Sequence, residues 1–349
     1  MQYMTITKKT KQRNFRLHVD HLKNAPNNSV KINDQITHGI RKTNKRFRIK
    51  KFDFMKEIVA VAEKVYVRTS KNIKYSHHEL LSCLIHFTST HVSWSRYNGT
   101  PEIQISGKYL NSIHLKYIEK GVYKAINERL LEIYLHNNRC AKLKHQSIDS
   151  SFIPNKRGII KPKCKKEHRE YDNVSEMIKN NRYNGRKKYI KISHLTCSSG
   201  VVLASHIFPG NESDLTSVEQ TFDKLPINLN TKKYSKNNKY KQYFLADPGY
   251  DSKRIRNFVT ERGYTPIIKP NNRNTINEEK KRKLTPKQWK LYKKRFIVES
   301  SFAWTKDYPI VNQMYEKTVS SYNGLFQLVN SIILSKKIIK DHASIRNKK

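Results

Sequence analysis

Residues 145–154, HQSIDSSFIP, mark the point at which the hydrophobic pattern of this chain changes from helical spacing to short strands. The segment predicts a first β-strand that carries an acidic residue, Asp149, in its interior. Residues 189–197 and 200–208 predict the second and third strands, and the turn pair Pro209-Gly210 closes the third. These three segments are therefore expected to form a hairpin that continues as a meander.

The elements that follow alternate between helices and strands. The patterns predict a helix around residues 215–225 capped near Ser213 or Asp214, and then the strand QYFLAD and a helix capped by Asp251. The strand YTPIIK, a helix with a capping box of Thr285 and Gln288, and a last helix at about 320–339 follow. This is an α/β order, and it is the order of the ribonuclease H-like fold, a mixed sheet flanked by helices. Topology by itself carries no activity.

The region before residue 144 has a different character. Residues 1–51 form a basic arm whose only acidic residues are Asp20 and Asp34; it is either a phosphate-binding or nuclear-import segment or a solvated tail. Residues 52–143 show helical spacing and predict a basic, mainly helical region, either a helix-turn-helix-like DNA reader or a helical lid. The predicted domains are thus 1–51, 52–143, 144–340 with the sheet, and a basic tail at 341–349.

The net charge of the chain indicates which kind of partner it binds. The 349 residues contain 70 Lys and Arg against 28 Asp and Glu, a formal charge of +42, while 36% hydrophobic residues still allow a folded core. Such a charge attracts polyanions, of which nucleic acid is the most common, and argues against an ordinary metabolic enzyme. The best apolar run, residues 325–334, is broken by polar residues, and the N-terminus lacks a signal-peptide pattern; no membrane partner is expected.

Three carboxylates occupy apolar surroundings in this acid-poor sequence. Asp149 lies inside a strand, Asp247 ends the strand YFLAD before a Pro-Gly turn, and Glu299 lies on the predicted helix RFIVESSFAW. Each alone could be a turn residue or the partner of a lysine. Together they could converge on a hard cation, Mg²⁺ or Mn²⁺, which would offset the cost of burying them. Two such ions can assist an in-line phosphoryl displacement.

The helix that carries Glu299 has a second regularity. Tyr292, Arg295, Glu299 and Lys306 fall within an arc of about 60° at 100° per residue, so a continuous helix would present all four on one face. That face suits a metal-bound scissile phosphate flanked by other phosphates. The alternative is a solvated amphipathic helix with an ordinary Arg295–Glu299 pair.

The spacing Y-x2-R-x3-E-x6-K in YKKRFIVESSFAWTK resembles the signature of bacterial insertion-sequence DDE transposases. The blocks IDSSFIPNKRG, GRKKYIKISHLTCSSGVVLASHIFPGNESD and LADPGYDSKRIRNFVTERGYTPIIKP resemble the first-aspartate block, the second and third strands, and the second-aspartate block of that family. The resemblance covers about residues 145–335.

This resemblance implies a ribonuclease H-like catalytic domain in which Asp149, Asp247 and Glu299 hold two divalent ions, Mg²⁺ or Mn²⁺. It implies metal-dependent DNA cleavage at transposon ends, strand transfer into target DNA, and a homodimer on DNA. The DNA-binding residues that it implies are Tyr292, Arg295 and Lys306, with backbone contacts from Arg186, Lys187 and Lys188. For those last three, a solvated hairpin is an equal alternative.

Other function classes remain open at this stage. The chain could be a DNA-binding protein derived from a transposase with catalysis lost, although the three carboxylates are intact, or a metal-dependent nuclease without strand transfer. A purely structural basic protein would have no use for the signature helix. Two further residues carry expectations: Asp214 is expected to cap a helix rather than to bind metal, and Trp304 to be a core residue rather than a base-stacking one.

Overall fold

The computed structural model describes residues 52–69, 73–136, 139–155, 189–210, 212–225, 241–273, 279 and 281–346. Of these, the segment Val61–Ile338 belongs to one compact unit, and residues 52–60 and 339–346 belong to a second. No helix within the described ranges combines the length and the apolar character that crossing a bilayer requires.

The first part of the described chain is helical. Its helices are α1 (Phe54–Val65), α2 (His77–Thr88), α3 (Gly107–Glu119), α4 (Val122–His136) and the short α5 (Arg139–Lys142). Helix α2 begins with a capping box of Ser76 and Glu79. The periodic stretch 109–135 is divided into α3 and α4 at Gly121, whose φ of 70° favours glycine.

The sheet and its helices follow in the predicted order. They are β1 (His145–Pro154), β2 (Tyr189–Thr196), β3 (Val202–Pro209), α6 (Asp214–Asp223), β4 (Gln242–Ala246), α7 (Lys253–Glu261), β5 (Tyr264–Ile268), α8 (Pro286–Tyr292), α9 (Ile297–Lys306), α10 (Pro309–Asn312) and α11 (Val319–Arg346). The predicted order of strands and helices is therefore confirmed, and the last helix continues beyond the residue at which it was expected to end.

The five strands lie in the order β3-β2-β1-β4-β5. Strands β1, β2 and β3 pair antiparallel, whereas β4 pairs parallel to β1 and β5 parallel to β4. This is the ribonuclease H-like arrangement, and the predicted fold class is confirmed. Because side chains alternate along a strand, odd-numbered residues of β1 lie on one face of the sheet and even-numbered residues on the other.

The even-numbered face of β1 carries an apolar cluster. Ile148 packs there with Phe244 of β4, Val218 of α6 and Ile255 of α7. Helix α9 covers the opposite face, where it contacts β1 and β2. Helices thus flank the sheet on both sides, which is how a mixed sheet is shielded from water.

The predicted cap of α7 needs correction. Ser252, not Asp251, caps α7, because its hydroxyl accepts the hydrogen bond from the N–H of Ile255. The carboxylate of Asp251 is occupied elsewhere, since it pairs with Arg256 at 2.7 Å and with Arg282. Oδ2, the oxygen that pairs with Arg282, also accepts a 2.8 Å hydrogen bond from the N–H of Asn271.

A buried polar seam joins the helical region to the last helix. His114 of α3 lies 3.1 Å from the carbonyl and the hydroxyl of Ser321 in α11. The indole N–H of Trp94 donates to Glu316, 3.0 Å away. A side chain added at Gly324 would meet His114 at about the same distance, 3.0 Å. Close packing and hydrogen bonds therefore hold these two segments together.

Candidate active site

Asp149 and Asp247 are brought together by the parallel pairing of β1 and β4. The last recorded pair of that register is Ser147 with Leu245, and both aspartates lie two residues further along their strands. They therefore extend from the same face of the sheet at neighbouring positions. The charge of Asp247 also acts on Asp149, as one of the causes that raise the pKa of the latter.

Burial disfavours the ionised form of the Asp149 carboxyl group. Burial, the largest cause, raises its pKa to about 6, against the opposing effects of the N–H of Ser150 and the guanidinium of Arg295. The N–H of Ser150 donates to Oδ1 at 2.8 Å. These partners do not compensate fully for desolvation, so the ionised form of Asp149 would be stabilised further by an additional cation.

Arg295 bridges two of the three predicted ligands. Its Nη1 donates to Oδ2 of Asp149 at 2.8 Å, and its Nη2 donates to Oε1 of Glu299 at 3.2 Å. The side chain of Arg295 is mostly buried, and its Nε has no hydrogen-bond partner among the described residues. Burial would lower the pKa of Arg295, but the nearby carboxylates outweigh it and raise that pKa. The guanidinium thus serves as the counter-ion of both carboxylates.

Asp247 has a local partner as well. It precedes a 3₁₀ turn, Pro248–Tyr250, and its Oδ1 accepts a 2.9 Å hydrogen bond from the N–H of Gly249. The turn signal of the Pro-Gly pair therefore describes the backbone correctly. Among the described residues, no hydrogen bond reaches the second carboxylate oxygen of Asp247.

Glu299 lies in the first turn of α9, and its side chain is 53% exposed. Among the described residues, no group of three His, Cys, Asp or Glu side chains is arranged closely enough to hold a metal ion as it stands. The donors are nevertheless all carboxylate oxygens, the ligand type that Mg²⁺ and Mn²⁺ prefer. The residues present fit such an ion chemically, provided that Arg295 gives up its contacts.

The signature residues share a face, but their helix is not continuous as predicted. A 3₁₀ turn, Lys293–Phe296, separates α8 from α9. A 3₁₀ turn rotates by about 20° more per residue than an α-helix. Over one turn this difference is too small to change the spacing of apolar residues, so the sequence could not predict it. The turn places residues three apart in line, so that Tyr292 lies directly before Arg295 on the same side.

Lys306 and Tyr292 flank the carboxylates at the two ends of this face. Lys306 donates to the hydroxyl of Ser151 at 2.7 Å, two residues along β1 from Asp149. Burial lowers the pKa of Lys306. Tyr292 is buried against Leu245 and Ile267, and burial raises its pKa. The face therefore carries the ammonium group of Lys306 near Asp149, and the buried ring of Tyr292 lies at its other end.

A family model described as "Transposase DDE domain" matches residues 141–332 of this chain, more than half of its length. The chain belongs to the DDE transposase family. Its match begins just before β1 and ends within α11, so it contains all three carboxylates. The predicted family is confirmed.

Solved structures similar to this DDE transposase include three of Mos1. The catalytic domain of the Mos1 mariner transposase shares 14% identity over 65% of this chain and 94% of that chain, with a TM-score of 0.23. The Mos1 paired-end complex with left transposon end shares 13% over 92% and 90%, with a TM-score of 0.22. The Mos1 mariner paired end complex with Mn shares 12% over 97% and 91%, also with a TM-score of 0.22. No curated protein matches the chain.

Asp214 of the DDE domain does not have the predicted capping role. Ser213 is the N-cap of α6, and its hydroxyl accepts from the N–H of Leu215. Asp214 follows it, accepts a 2.6 Å hydrogen bond from Ser150 and pairs with Lys191 at 3.1 Å. Because Ser150 lies on the even-numbered face of β1, this pair is on the far side of the sheet from Asp149.

Sequence reasoning missed a buried histidine below the DDE carboxylates. His194 of β2 is directly opposite Asp149 in the strand register. Its Nδ1 lies 3.0 Å from the hydroxyl of Ser301 in α9, its ring stacks on Phe302 at 4.1 Å, and burial lowers its pKa to about 3. A neutral imidazole thus fastens α9 to the sheet. The available signal was a histidine at an inward position of an apolar strand.

Two other predicted contacts have different outcomes. Arg186, Lys187 and Lys188 lie outside the described residues of the DDE transposase.

Trp304 is partly buried: the Nζ of Lys337 lies 3.6 Å from its ring centroid, and a Cβ at Gly200 would meet the ring at 2.9 Å. The ring is therefore a packing element between the β2–β3 turn and the last helix.

Proposed function

We propose that this chain is an active transposase that cuts DNA at transposon ends and joins the freed strand to target DNA. The observation that carries the proposal is the juxtaposition of Asp149, Arg295 and Glu299 beside Asp247 in a domain of the DDE family. The middle of β1, the residue after β4 and the first turn of α9 supply these groups, and a phosphoryl-transfer site needs carboxylates from separate elements in one place.

Asp149, Asp247 and Glu299 would hold the divalent cations, Mg²⁺ or Mn²⁺, expected as two ions. When bound, such ions supply Lewis-acid activation of the attacking oxygen and stabilisation of the leaving oxygen. The raised pKa of Asp149 supports this assignment, because a carboxyl group that is poorly compensated in its ionised form gains most from an added cation.

Arg295 gives the site a way to respond to DNA. Its guanidinium pairs with one oxygen of each of two carboxylates in this structure, and a single DNA phosphate could accept both of these hydrogen bonds. Transfer of Arg295 from Asp149 to a phosphate would free the carboxylate oxygens as the substrate arrives. Lys306, which now donates to a hydroxyl and a carbonyl rather than to an acid, would contact a second phosphate.

DNA is the proposed partner on grounds of charge. A formal charge of +42 supplies the field that draws in a polyanion. Tyr292 is proposed to support the strand near the cut, and Arg186, Lys187 and Lys188 remain proposed backbone contacts. A homodimer that pairs two transposon ends is proposed on the family resemblance alone.

A cleavage and joining assay tests the proposal. DNA that carries the flanking sequences of the element is incubated with Mg²⁺ or Mn²⁺ and with wild-type or Glu299→Gln protein. Glu219→Gln is the matched control: it makes the same chemical change on α6, where Glu219 pairs with Arg254 at 3.3 Å. We expect metal-dependent joined products with wild type and Glu219→Gln, and none with Glu299→Gln.

The other outcomes have distinct meanings. Nicked products without joining would replace the transposase by a nuclease. DNA binding without any cleavage would indicate a DNA-binding protein that has lost catalysis. Cleavage retained by Glu299→Gln would remove Glu299 from the site.

A further inference from the structure

The hydrogen bond of the buried histidine in β2 has a defined direction. The hydroxyl of Ser301 in α9 donates to the carbonyl of Val298 at 2.6 Å, so its oxygen can only accept from Nδ1 of His194, 3.0 Å away. Because the ring is neutral, with its pKa lowered by burial to about 3, the other nitrogen, Nε2, carries no proton. Among the described residues, Nε2 has no hydrogen-bond partner. The hydrogen bond that His194 makes with these residues is therefore the one to Ser301.

His194 contacts two consecutive residues of α9. Its ring donates to Ser301 and also lies nearly parallel to the ring of Phe302, with centroids 4.1 Å apart and planes inclined by 18°. Consecutive residues of an α-helix project about 100° apart, so contacts with both oppose rotation of the helix as well as translation along its axis. His194 and Ser301 are both buried, so bulk water does not compete for their hydrogen bond.

Packing alone does not account for a histidine at this position. A phenylalanine ring could stack on Phe302 and on Phe326, whose centroid lies 5.3 Å from that of His194. It would also avoid burying Nε2, an acceptor that no described residue satisfies. The imidazole adds one feature that phenylalanine lacks, the directed N–H to Ser301. This hydrogen bond therefore indicates a role in placing α9.

The hydrogen bond to His194 lies close to Glu299 along α9. Ser301 follows Glu299 by two residues, or about 3 Å of helix axis. Among the described residues, Lys306 is the other α9 side chain that hydrogen-bonds to a strand, through Ser151 of β1, and it lies about 10 Å beyond Glu299. The contact with His194 is therefore the one that most directly limits movement of Glu299.

Arg295 also connects Glu299 to the sheet, but only while it pairs with carboxylates. It bridges Glu299 and Asp149 through two hydrogen bonds, and both have to be released before these carboxylates can share a metal ion. The proposed function assigns Arg295 to a DNA phosphate at that stage. The buried contact of His194 competes with neither metal nor DNA, so it persists when the arginine leaves.

We propose that His194 is a positioning residue of the active site: by fixing Ser301, it holds Glu299 at the distance from Asp149 that a shared metal ion requires. The inference rests on the proposed function, in which Glu299 is a metal ligand. In the strand register His194 is directly opposite Asp149. One residue pair of β1 and β2 thus supplies one ligand and fixes the helix that carries another.

The test measures the affinity of the full-length protein for Mn²⁺ by calorimetry, without DNA. His194→Phe keeps a ring but removes the donor, and Ser301→Ala removes the acceptor. Because a misplacement of about 1 Å can cost roughly a hundredfold in an aligned site, each variant should bind Mn²⁺ about tenfold more weakly. The matched control is His206→Phe on β3, where His206 lies parallel to Phe208; its affinity should equal that of wild type. Wild-type affinity in both His194→Phe and Ser301→Ala would overturn the inference.

A double-mutant cycle shows whether His194 acts through Glu299. In the Glu299→Gln background, His194→Phe should change the Mn²⁺ affinity by less than about twofold, because the ligand that it positions is already lost. An equal loss of affinity in both backgrounds would also overturn the inference, since His194 would then act on the site independently of Glu299.

His194→Asn separates positioning from stability. Its side-chain amide can donate from nearly the place of Nδ1, but it lacks the ring that stacks on Phe302. We expect His194→Asn to unfold at a lower urea concentration than His194→Phe and yet to bind Mn²⁺ more tightly per folded molecule. If Mn²⁺ affinity instead follows stability across the variants, His194 is a structural residue only.

Hydrogen exchange of the metal-free protein distinguishes failure of this inference from failure of the proposed function. His194→Phe and Ser301→Ala should accelerate exchange of the amides in α9, and His206→Phe should not. Unchanged α9 exchange would overturn the inference even in a protein that cuts DNA. A wild-type protein that binds no Mn²⁺ would refute the proposed function, and faster α9 exchange in His194→Phe would then still show that His194 holds this helix.

Discussion

Asp149 and Asp251 are both desolvated and both paired with arginine, yet their pKa values move in opposite directions. Burial raises that of Asp149 to about 6, although Arg295 and a backbone N–H oppose it. Burial also acts on Asp251, whose side chain is only 1% exposed, but Asn271, Arg256 and Arg282 together outweigh it and lower the pKa. The partners of Asp251 outweigh the cost of burying its charge, whereas those of Asp149 do not, so an added cation would stabilise ionised Asp149.

The contrast separates a structural carboxylate from a reactive one without reference to sequence motifs. A carboxylate whose oxygens all have hydrogen-bond or ion-pair partners stabilises the fold and has no free oxygen with which to bind a ligand. An acid with too few partners lowers stability and gains from a ligand. Four predictions test whether this distinction holds, in descending order of the expected effect.

The largest effect is expected for catalysis. Asp149→Asn should reduce the rate of strand cleavage by roughly a thousandfold, about 4 kcal/mol of barrier, because it removes a charged ligand from the site. Asp251→Asn should leave the rate per folded molecule nearly unchanged. Cleavage rates measured on the same DNA, with folded fractions from circular dichroism, check both. Equal losses in the two variants would erase the distinction.

The pH dependence of stability should have opposite signs for the two acids. Because the folded pKa of Asp149 lies above its ordinary value of 3.8, its favourable contribution is full below about pH 3.8 and lost as pH rises to about 6. The loss should reach roughly 3 kcal/mol in metal-free buffer. Urea unfolding of wild type and Asp149→Asn between pH 4 and 7 measures it, and a difference that does not vary with pH would contradict the assignment.

Asp251 should behave as an ordinary stabilising acid. Its folded pKa is lowered, so its contribution is present above its ordinary pKa and lost as pH falls through the folded value. At pH 7, Asp251→Asn should cost about 2 kcal/mol of unfolding free energy, less than for a fully buried pair because Arg282 is largely exposed. The exposed Asp223 gives the control, Asp223→Asn, for which a comparable loss would argue against a role of the Asp251 partners.

The smallest effect concerns the competition between arginine and metal. Arg295→Ala removes the cation that pairs with Asp149 and Glu299, so Mn²⁺ should bind about tenfold more tightly, a gain of about 1.4 kcal/mol. Calorimetry or the electron paramagnetic resonance signal of free Mn²⁺ measures this without any reaction. Lys306→Ala is the control, because Lys306 contacts Ser151 rather than a carboxylate. Weaker Mn²⁺ binding by Arg295→Ala would show that the arginine supports the site instead of competing for it.

Local signals predicted much of the fold. The bounds of β1 were correct to the residue, and the capping box of Thr285 and Gln288 is present as predicted. Both depend on contacts within a few residues, which alternation and capping rules describe well. The order of elements indicated the ribonuclease H-like topology, whereas the parallel register that aligns Asp149 with Asp247 is seen only in the structure.

Contacts between distant residues could not be predicted in the same way. The Arg295–Glu299 pair is visible in the spacing, but the stronger contact of Arg295 is with Asp149, 146 residues away in sequence. Asp251 was predicted to cap a helix because local patterns do not show its partner Arg282, which comes 31 residues later in the sequence. The choice between Ser213 and Asp214 as the cap was decided by Lys191, which takes the carboxylate of Asp214.

The polar seam between α3 and the last helix also limits how such a protein can be divided. A fragment that began at residue 144 would leave Ser321 and Glu316 without His114 and Trp94, and it would open the close contact at Gly324 to water. Recombination that exchanged the upstream region for another would meet the same penalty. An exchange that keeps these contacts would therefore have to fall before Trp94, so that Trp94 and α3 are inherited together with the sheet and the last helix.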